Sequence, residues 1–260
     1  MGNRQRLRKA FFSSHPFCCF CGGAEPAPEE DHIPARHLFR GRQWPEGYVF
    51  PACAPCNAAS AVDELVMGWL VRVAISDLSS EDEHELQLAL AKLYDRKPHW
   101  VRAIKEMSRT DTRRSLREVG LHAASFKALT SSEIYMVQLP EEMLKVPVRY
   151  GEKLARALYY KHSGKVLAAD ASIRVRVAPN SEYMSPTFPY EDFEVLSARP
   201  ALARSGKSLD DQFSYRYGAA SDGPAAGFMM RFGESMLIVA LVYEPRLGPP
   251  SDVDEAAQSG

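Results

Sequence analysis

All five cysteines of the chain lie between residues 18 and 56. Cys18 and Cys21 form one C-x2-C pair, and Cys53 and Cys56 form a second. Two intervening residues let both thiolates of a pair reach one tetrahedral ion from a tight turn, and Gly22-Gly23 lets the backbone double back after the first pair. Four thiolates in two such pairs predict a structural Zn2+ site. Cys19 is the spare; it is expected to pack as a small hydrophobe. A register using Cys19 in place of Cys18 gives a shorter bite. Crowding of the cysteines into so short a stretch argues for a metal and against a disulfide framework, which would staple distant segments.

The gap from Gly22 to Ala52 is 31 residues, longer than the ~15 to 20 of a compact zinc ribbon. Something is inserted between the knuckles. The insertion carries Asp31-His32-Ile33-Pro34, a basic loop with Arg36, His37, Arg40 and Arg42, and the apolar run Tyr48-Val49-Phe50; Asn57 directly follows Cys56. The order C-x2-C, Asp-His, C-x2-C-Asn over roughly residues 15 to 65 resembles the HNH nuclease family. The fold of that family is a β-hairpin crossed by a helix, often laced by a zinc on two C-x2-C pairs.

The resemblance implies that Asp31 is an acidic metal ligand, His32 a general base, and Asn57 the last residue of the motif, helping to hold a divalent ion, Mg2+ or Mn2+. Those residue types suit phosphodiester hydrolysis. A near-neutral imidazole takes a proton from water, and a hard cation on oxygen ligands neutralises charge on the phosphate and the leaving oxygen. Adjacent strand residues point to opposite faces, so Asp31 and His32 serve one site only if the strand end twists. The family commonly has Asn five residues before the second knuckle, orienting the histidine; this chain has Tyr48 there. A Tyr hydroxyl or a backbone carbonyl could hold His32 instead. Arg36, Arg40 and Arg42 suit phosphate clamping, or form an ordinary charged loop. His37 could bind phosphate or replace a ligand, or be structural. Trp44 and Pro45 are expected to pack the hairpin.

The elements that must position these residues follow from the rest of the chain. With 260 residues, 45% hydrophobic and 25% charged, it can build a sizeable core. A net charge of -1 gives no general basic field, so nucleic acid must be met by local patches. No apolar run approaches the ~20 residues of a membrane span. The N-terminus is basic without an apolar stretch, so no secretory signal is read and a cytoplasmic location is expected. No membrane partner is expected.

Helical spacing predicts helices over residues 61 to 75, from Ser79 or Ser80 to Lys97, from Pro98 to Arg109, and from a cap at Asp111 or Thr112 to Thr130. Residues 133 to 139 alternate like a strand. Residues 140 to 164 read as helix with a break at Pro147 and a stop at Gly164. Strands are then predicted at 172 to 179, 192 to 198, 212 to 218, 227 to 233 and 235 to 245, with a hairpin turn at RFGES.

The predicted class is therefore α+β: an HNH-like zinc module over residues 1–75, a helical segment over 76–130, an α+β region with an antiparallel sheet over 131–245, and a disordered tail over 246–260. The functional expectation is a metal-dependent endonuclease acting on nucleic acid, DNA foremost. The alternative is a non-catalytic zinc module that binds nucleic acid or protein, with Asp31 and His32 structural. Residues 165 to 245 carry no Gly-rich dinucleotide fingerprint, P-loop or nucleophile elbow; an unknown ligand or protein partner for this region stays open.

Overall fold

The structure is a computed structural model in which residues 2–73, 79–118, 136–183, 185, 187–218 and 225–244 are described. Helix α1 (Asn3–Ser14) is followed by strand β1 (Glu29–His32), two 3-10 turns (Arg36–Leu38 and Arg40–Arg42), β2 (Val49–Ala52) and the short α2 (Ala54–Ala59). Then come α3 (Ala61–Val73), α4 (Ser80–Arg96), α5 (Pro98–Ala103), β3 (Lys105–Glu106), α6 (Arg109–Glu118), β4 (Val137–Gln138), α7 (Glu141–Leu144) and α8 (Val146–Ser163). The remainder is β5 (Ser172–Pro179), α9 (Asn180–Tyr183), a 3-10 turn (Tyr190–Phe193), β6 (Ala203–Arg204), β7 (Lys207–Ser208), β8 (Ser214–Gly218), β9 (Ala226–Phe232) and β10 (Met236–Tyr243). The class is α+β with antiparallel sheets, as the sequence pattern predicts. Among the described residues no helix is long and apolar enough to cross a membrane.

The local signals act where expected. The Ser79 hydroxyl accepts from the Asp82 amide and caps α4, supplying one of the partners that a helix N-terminus lacks. Pro147 stands in the first turn of α8, where its missing N–H costs nothing. Gly164 ends that helix at φ 70°, a conformation that favours glycine. Three predictions need correcting. The helix predicted from Pro98 to Arg109 ends at Ala103, because the chain turns extended at Ile104 and Lys105–Glu106 pair antiparallel with Val137–Gln138. The cap of α6 is Ser108, whose hydroxyl accepts from the Asp111 amide, so the helix starts earlier than a cap at Asp111 or Thr112 implies. Residues 192 to 198 are not a strand; after the 3-10 turn only Ala198 bridges to Tyr217. Leu196 is buried while Val195 is 67% exposed, which is burial at the spacing of a turn. The rest of the helix predicted to reach Thr130, the start of the strand predicted at 133, and the tail from residue 246 lie outside the described residues.

The main sheet runs β5-β10-β9-β8, every neighbour antiparallel. Its central strand β10 sorts its side chains by the two-residue period of a strand. Met236, Ile238, Ala240 and Val242 enter the main core, whereas Leu237 and Val239 face a smaller cluster with Tyr183 and Phe188. Helix α8 lies on the main-core face. A Cβ on its Gly151 would fall 2.8 Å from Ile238 and 2.9 Å from Val175, so helix and sheet approach as closely as only glycine allows. The same core takes in Ile33, Tyr48 and Phe50 from the β1–β2 hairpin, Met67 and Trp69 from α3, and Tyr150 and Leu154 from α8. The hairpin therefore rests on α8 from one side of a shared core.

Candidate functional site

The cysteine clasp is assembled by backbone geometry. After Cys21 the chain turns back through Gly22 and Gly23, at φ 72° and 78°, and the Gly23 amide donates to the Cys18 carbonyl at 3.1 Å. A Cβ on Gly22 would meet the Ala169 backbone at 2.5 Å, so no larger residue fits there. The Cys19 amide donates to the Pro51 carbonyl at 3.0 Å, tying the first knuckle to β2. Cys53 occupies the N-cap position of α2, and Pro55 stands in that helix's first turn. As a result the sulfurs of Cys18, Cys21, Cys53 and Cys56 all lie within 4.8 Å of one another. A tetrahedral thiolate site with metal–sulfur bonds of ~2.3 Å has edges of ~3.8 Å, so a small contraction completes it. The Phe20 amide donates to Cys18 Sγ at 3.4 Å, which stabilises a thiolate. Cys19 is fully buried in the apolar core; burial pushes its thiol well above the usual range, so it stays protonated and outside the cluster.

Asp31, His32 and Asn57 line one cavity of about 270 Å³, together with Glu30, Ala35, Arg36, His37, Arg42 and Glu64. Strand alternation separates the first two inside it. Asp31, opposite Phe50 in the register, turns inward and is only 5% exposed. His32, opposite Val49, is half-buried at the mouth. Asn57 donates its amide N–H to Glu29 Oε2 at 2.7 Å, which joins α2 to β1 and leaves the amide oxygen as its acceptor atom.

Around His32 the field is cationic. Arg36 Nη2 donates to His32 Nε2 at 2.5 Å, and the ring packs edge-on to Trp44 at 5.0 Å. The guanidiniums of Arg36 and Arg204 lie 4.2 and 3.8 Å from the Trp44 ring centre, attracted by its electron-rich face. Burial, then Arg36, then Arg204 push the imidazole down to about 4, so it is neutral at neutral pH. Arg204 arrives on the β6–β7 hairpin, whose turn residues Ser205 and Gly206 adopt φ 50° and 78°; Glu46 accepts from the Ser205 amide at 2.9 Å and so docks this hairpin on the loop beside Trp44.

Around Asp31 the partner is Lys153 of α8. Its Nζ is 2.5 Å from Asp31 Oδ2, donates to Ser60 Oγ at 2.5 Å, and reaches Glu64 Oε1 at 3.2 Å. The Asp31 contact lacks hydrogen-bond geometry, so it is charge against charge. Burial pushes the Asp31 carboxyl up while Lys153 pulls it down. Nearby, the Tyr150 hydroxyl accepts from the Ala35 amide at 3.0 Å, fixing the chain just after the Asp-His pair.

The other predicted residues divide. Arg42 lines the cavity, exposed, in a left-handed conformation at φ 55°. His37 lines it too, but its Nε2 donates to the Glu64 carbonyl at 2.6 Å, and its ring packs where a side chain on Gly68 would stand. Arg40 faces elsewhere: it pairs with Asp82 at 3.0 Å and Asp211 at 3.4 Å beside a second cavity of about 300 Å³. The hydroxyl of Tyr48 bonds to that of Tyr215 at 2.8 Å, so it ties the hairpin to the sheet and leaves His32 to Arg36 and Trp44. Sequence reasoning missed Lys153, Glu64 and Arg204. None carries a local signal; each is brought in by tertiary packing.

The donor sets can be weighed by type. Four thiolates suit a soft or borderline ion held tetrahedrally, zinc above all. Among the described residues they are the one group of three or more His, Cys, Asp and Glu side chains arranged to hold a metal. Asp31 and Asn57 are oxygen donors of the kind a hard divalent ion takes, and Lys153 stands at the first of them. Compared with protein-family models, curated proteins and solved structures, the chain matches none.

Proposed function

We propose that the chain is an HNH-type endonuclease that hydrolyses phosphodiester bonds in DNA, its hairpin braced by a zinc ion on Cys18, Cys21, Cys53 and Cys56. The reading is supported above all by one observation: Asp31, His32 and Asn57 share a single cavity at the hairpin end, rimmed by guanidiniums. In this proposal His32, already neutral, accepts the proton of the attacking water at a ring nitrogen. Arg36 blocks Nε2 in the resting site; a scissile phosphate is the better partner for a guanidinium and draws it away, freeing the base as substrate seats. Arg42 and Arg204 add positive charge for the DNA backbone, a local field that the overall charge does not predict. Asp31 and Asn57 would hold Mg2+ or Mn2+, which when bound neutralises charge on the phosphate and departing oxygen.

A second reading is a zinc-braced module that binds nucleic acid or protein without cutting. Two observations favour it: the Asp31–Lys153 ion pair and the commitment of the Tyr48 hydroxyl to Tyr215. Supercoiled plasmid separates the two. The nuclease reading expects conversion to open circle or linear form with Mg2+ or Mn2+, and a loss of at least about 100-fold in His32→Ala, within the range seen for general bases. Wild-type protein inert on supercoiled, nicked and single-stranded substrates with every metal would leave the binding module standing.

A further inference from the structure

The Lys153 ammonium is held by three oxygens: the Asp31 carboxylate at 2.5 Å, the Ser60 hydroxyl at 2.5 Å and the Glu64 carboxylate at 3.2 Å. Its side chain is only 11% exposed; it donates hydrogen bonds to Ser60 and Glu64 and meets Asp31 as a charge. An all-oxygen cage with two carboxylates is also what a hard divalent ion takes, at ~2.0 to 2.2 Å in place of ammonium distances. Asp31 and Glu64 both line the cavity shared with His32 and Asn57. Two cations cannot occupy one such cage, because like charges a few ångströms apart at low dielectric repel strongly.

We infer that Lys153 is the resident counter-cation of Asp31, a positioning residue that a divalent ion must displace before it can bind. The inference rests on reading Asp31 as an ion ligand. Removing the ammonium leaves a buried carboxylate uncompensated, with Glu64 and Ser60 beside it, and the cage then recruits an ion from solution. In the wild-type chain, ion binding is paid for by dislodging Lys153. Helix α8 carries Lys153 two residues after Gly151, the glycine seated against Ile238 and Val175 of the sheet.

The test contains no nucleic acid, so it is independent of cleavage. Zinc-loaded full-length protein is titrated with Mn2+, free ion being read by electron paramagnetic resonance. Lys153→Met is expected to bind one Mn2+ at least tenfold more tightly than wild type. Lys153→Arg, which keeps the charge, should stay at the wild-type level, and Asp31→Asn in the Lys153→Met background should abolish the gain. The inference is overturned if Lys153→Met binds no more tightly than wild type, if its gain survives Asp31→Asn, or if Lys153→Arg gains as much. Should Lys153→Met not fold, Lys153→Gln carries the same arms. A readout on wild type itself is the Lys153 ε-methylene resonance under Mg2+: an ion that binds at Asp31 must move it, and binding with the resonance unmoved overturns the displacement. If plasmid cleavage fails while these arms hold, the nuclease reading falls and the Lys153 inference stands.

Discussion

The β1–β2 hairpin and the β5-β10-β9-β8 sheet are both antiparallel, yet they are ordered by different physics. The hairpin strands are four residues each, and an isolated two-stranded ribbon of that size is not stable in water. Its order is borrowed: from the four thiolates at one end, from Tyr48 and Phe50 in the shared core, and from Lys153 at Asp31. The sheet has strands of eight residues at β5 and β10 and makes its own order by burying both faces of β10. In the proposed function the chemistry falls to the region with borrowed order, and part of what orders it comes from later in the chain. Arg204, Tyr215 and Lys153 all lie beyond residue 130 and reach back to Trp44, Tyr48 and Asp31.

The largest effect expected from that contrast is metal removal. Chelation, or Cys53→Ser, should strip the ion and unfold the hairpin, since binding free energy at such thiolate sites is folding free energy. Hydrogen exchange is expected to show amide protection lost at residues 17–60 and kept in β9 and β10. Equal loss in both would erase the distinction. Next in size, Gly151→Ala forces a methyl into the α8–sheet contact. It should destabilise the fold by about 1–3 kcal/mol, the usual cost of overpacking, while the zinc content stays at one per chain. Loss of zinc in that variant would mean that the two regions are not separately ordered.

The smallest effect is the finest probe of the site. The imidazole of His32 is pushed down to about 4 by burial, then by Arg36 and Arg204, from an ordinary value near 6.5. Between those values the unfolded chain binds a proton that the folded chain does not, so this group's effect on stability is favourable above 6.5 and is lost as pH falls toward 4. If His32 is the base, the acid limb of kcat/KM, which reports the protein before substrate draws Arg36 away, should likewise lie near 4. Arg36→Ala should move the limb upward but short of 6.5, because burial is the larger cause. A limb unmoved by Arg36→Ala would place the working base elsewhere.

Local signals and long-range packing divide along the same line. Cysteine spacing, the Gly22-Gly23 turn, the Ser79 cap, Pro147 and Gly164 are local signals, and the chain obeys them. The alternation of β5 and β10 marked the sheet for the same reason. Residues 192 to 198 misled because Phe193, Val195 and Leu196 are apolar enough for a strand, whereas the chain buries Leu196 and leaves Val195 in water. At the cavity, Asp31, His32 and Asn57 were readable from the motif order. Lys153 was not, since within the amphipathic helix α8 it looks like any solvated lysine; its burial is set by a partner 122 residues away in sequence. The hydroxyl of Tyr48 was equally open, free in sequence to reach His32 and turned in the fold toward Tyr215.

In the proposed division of labour the clasp holds the hairpin and the cavity does the chemistry. A single preparation of His32→Ala, assayed for zinc, melting temperature and plasmid nicking with Mn2+, separates the two roles. One zinc per chain, a melting temperature within a few degrees of wild type and nicking reduced at least about 100-fold are expected. Nicking at the wild-type rate by zinc-loaded, folded His32→Ala would refute the division.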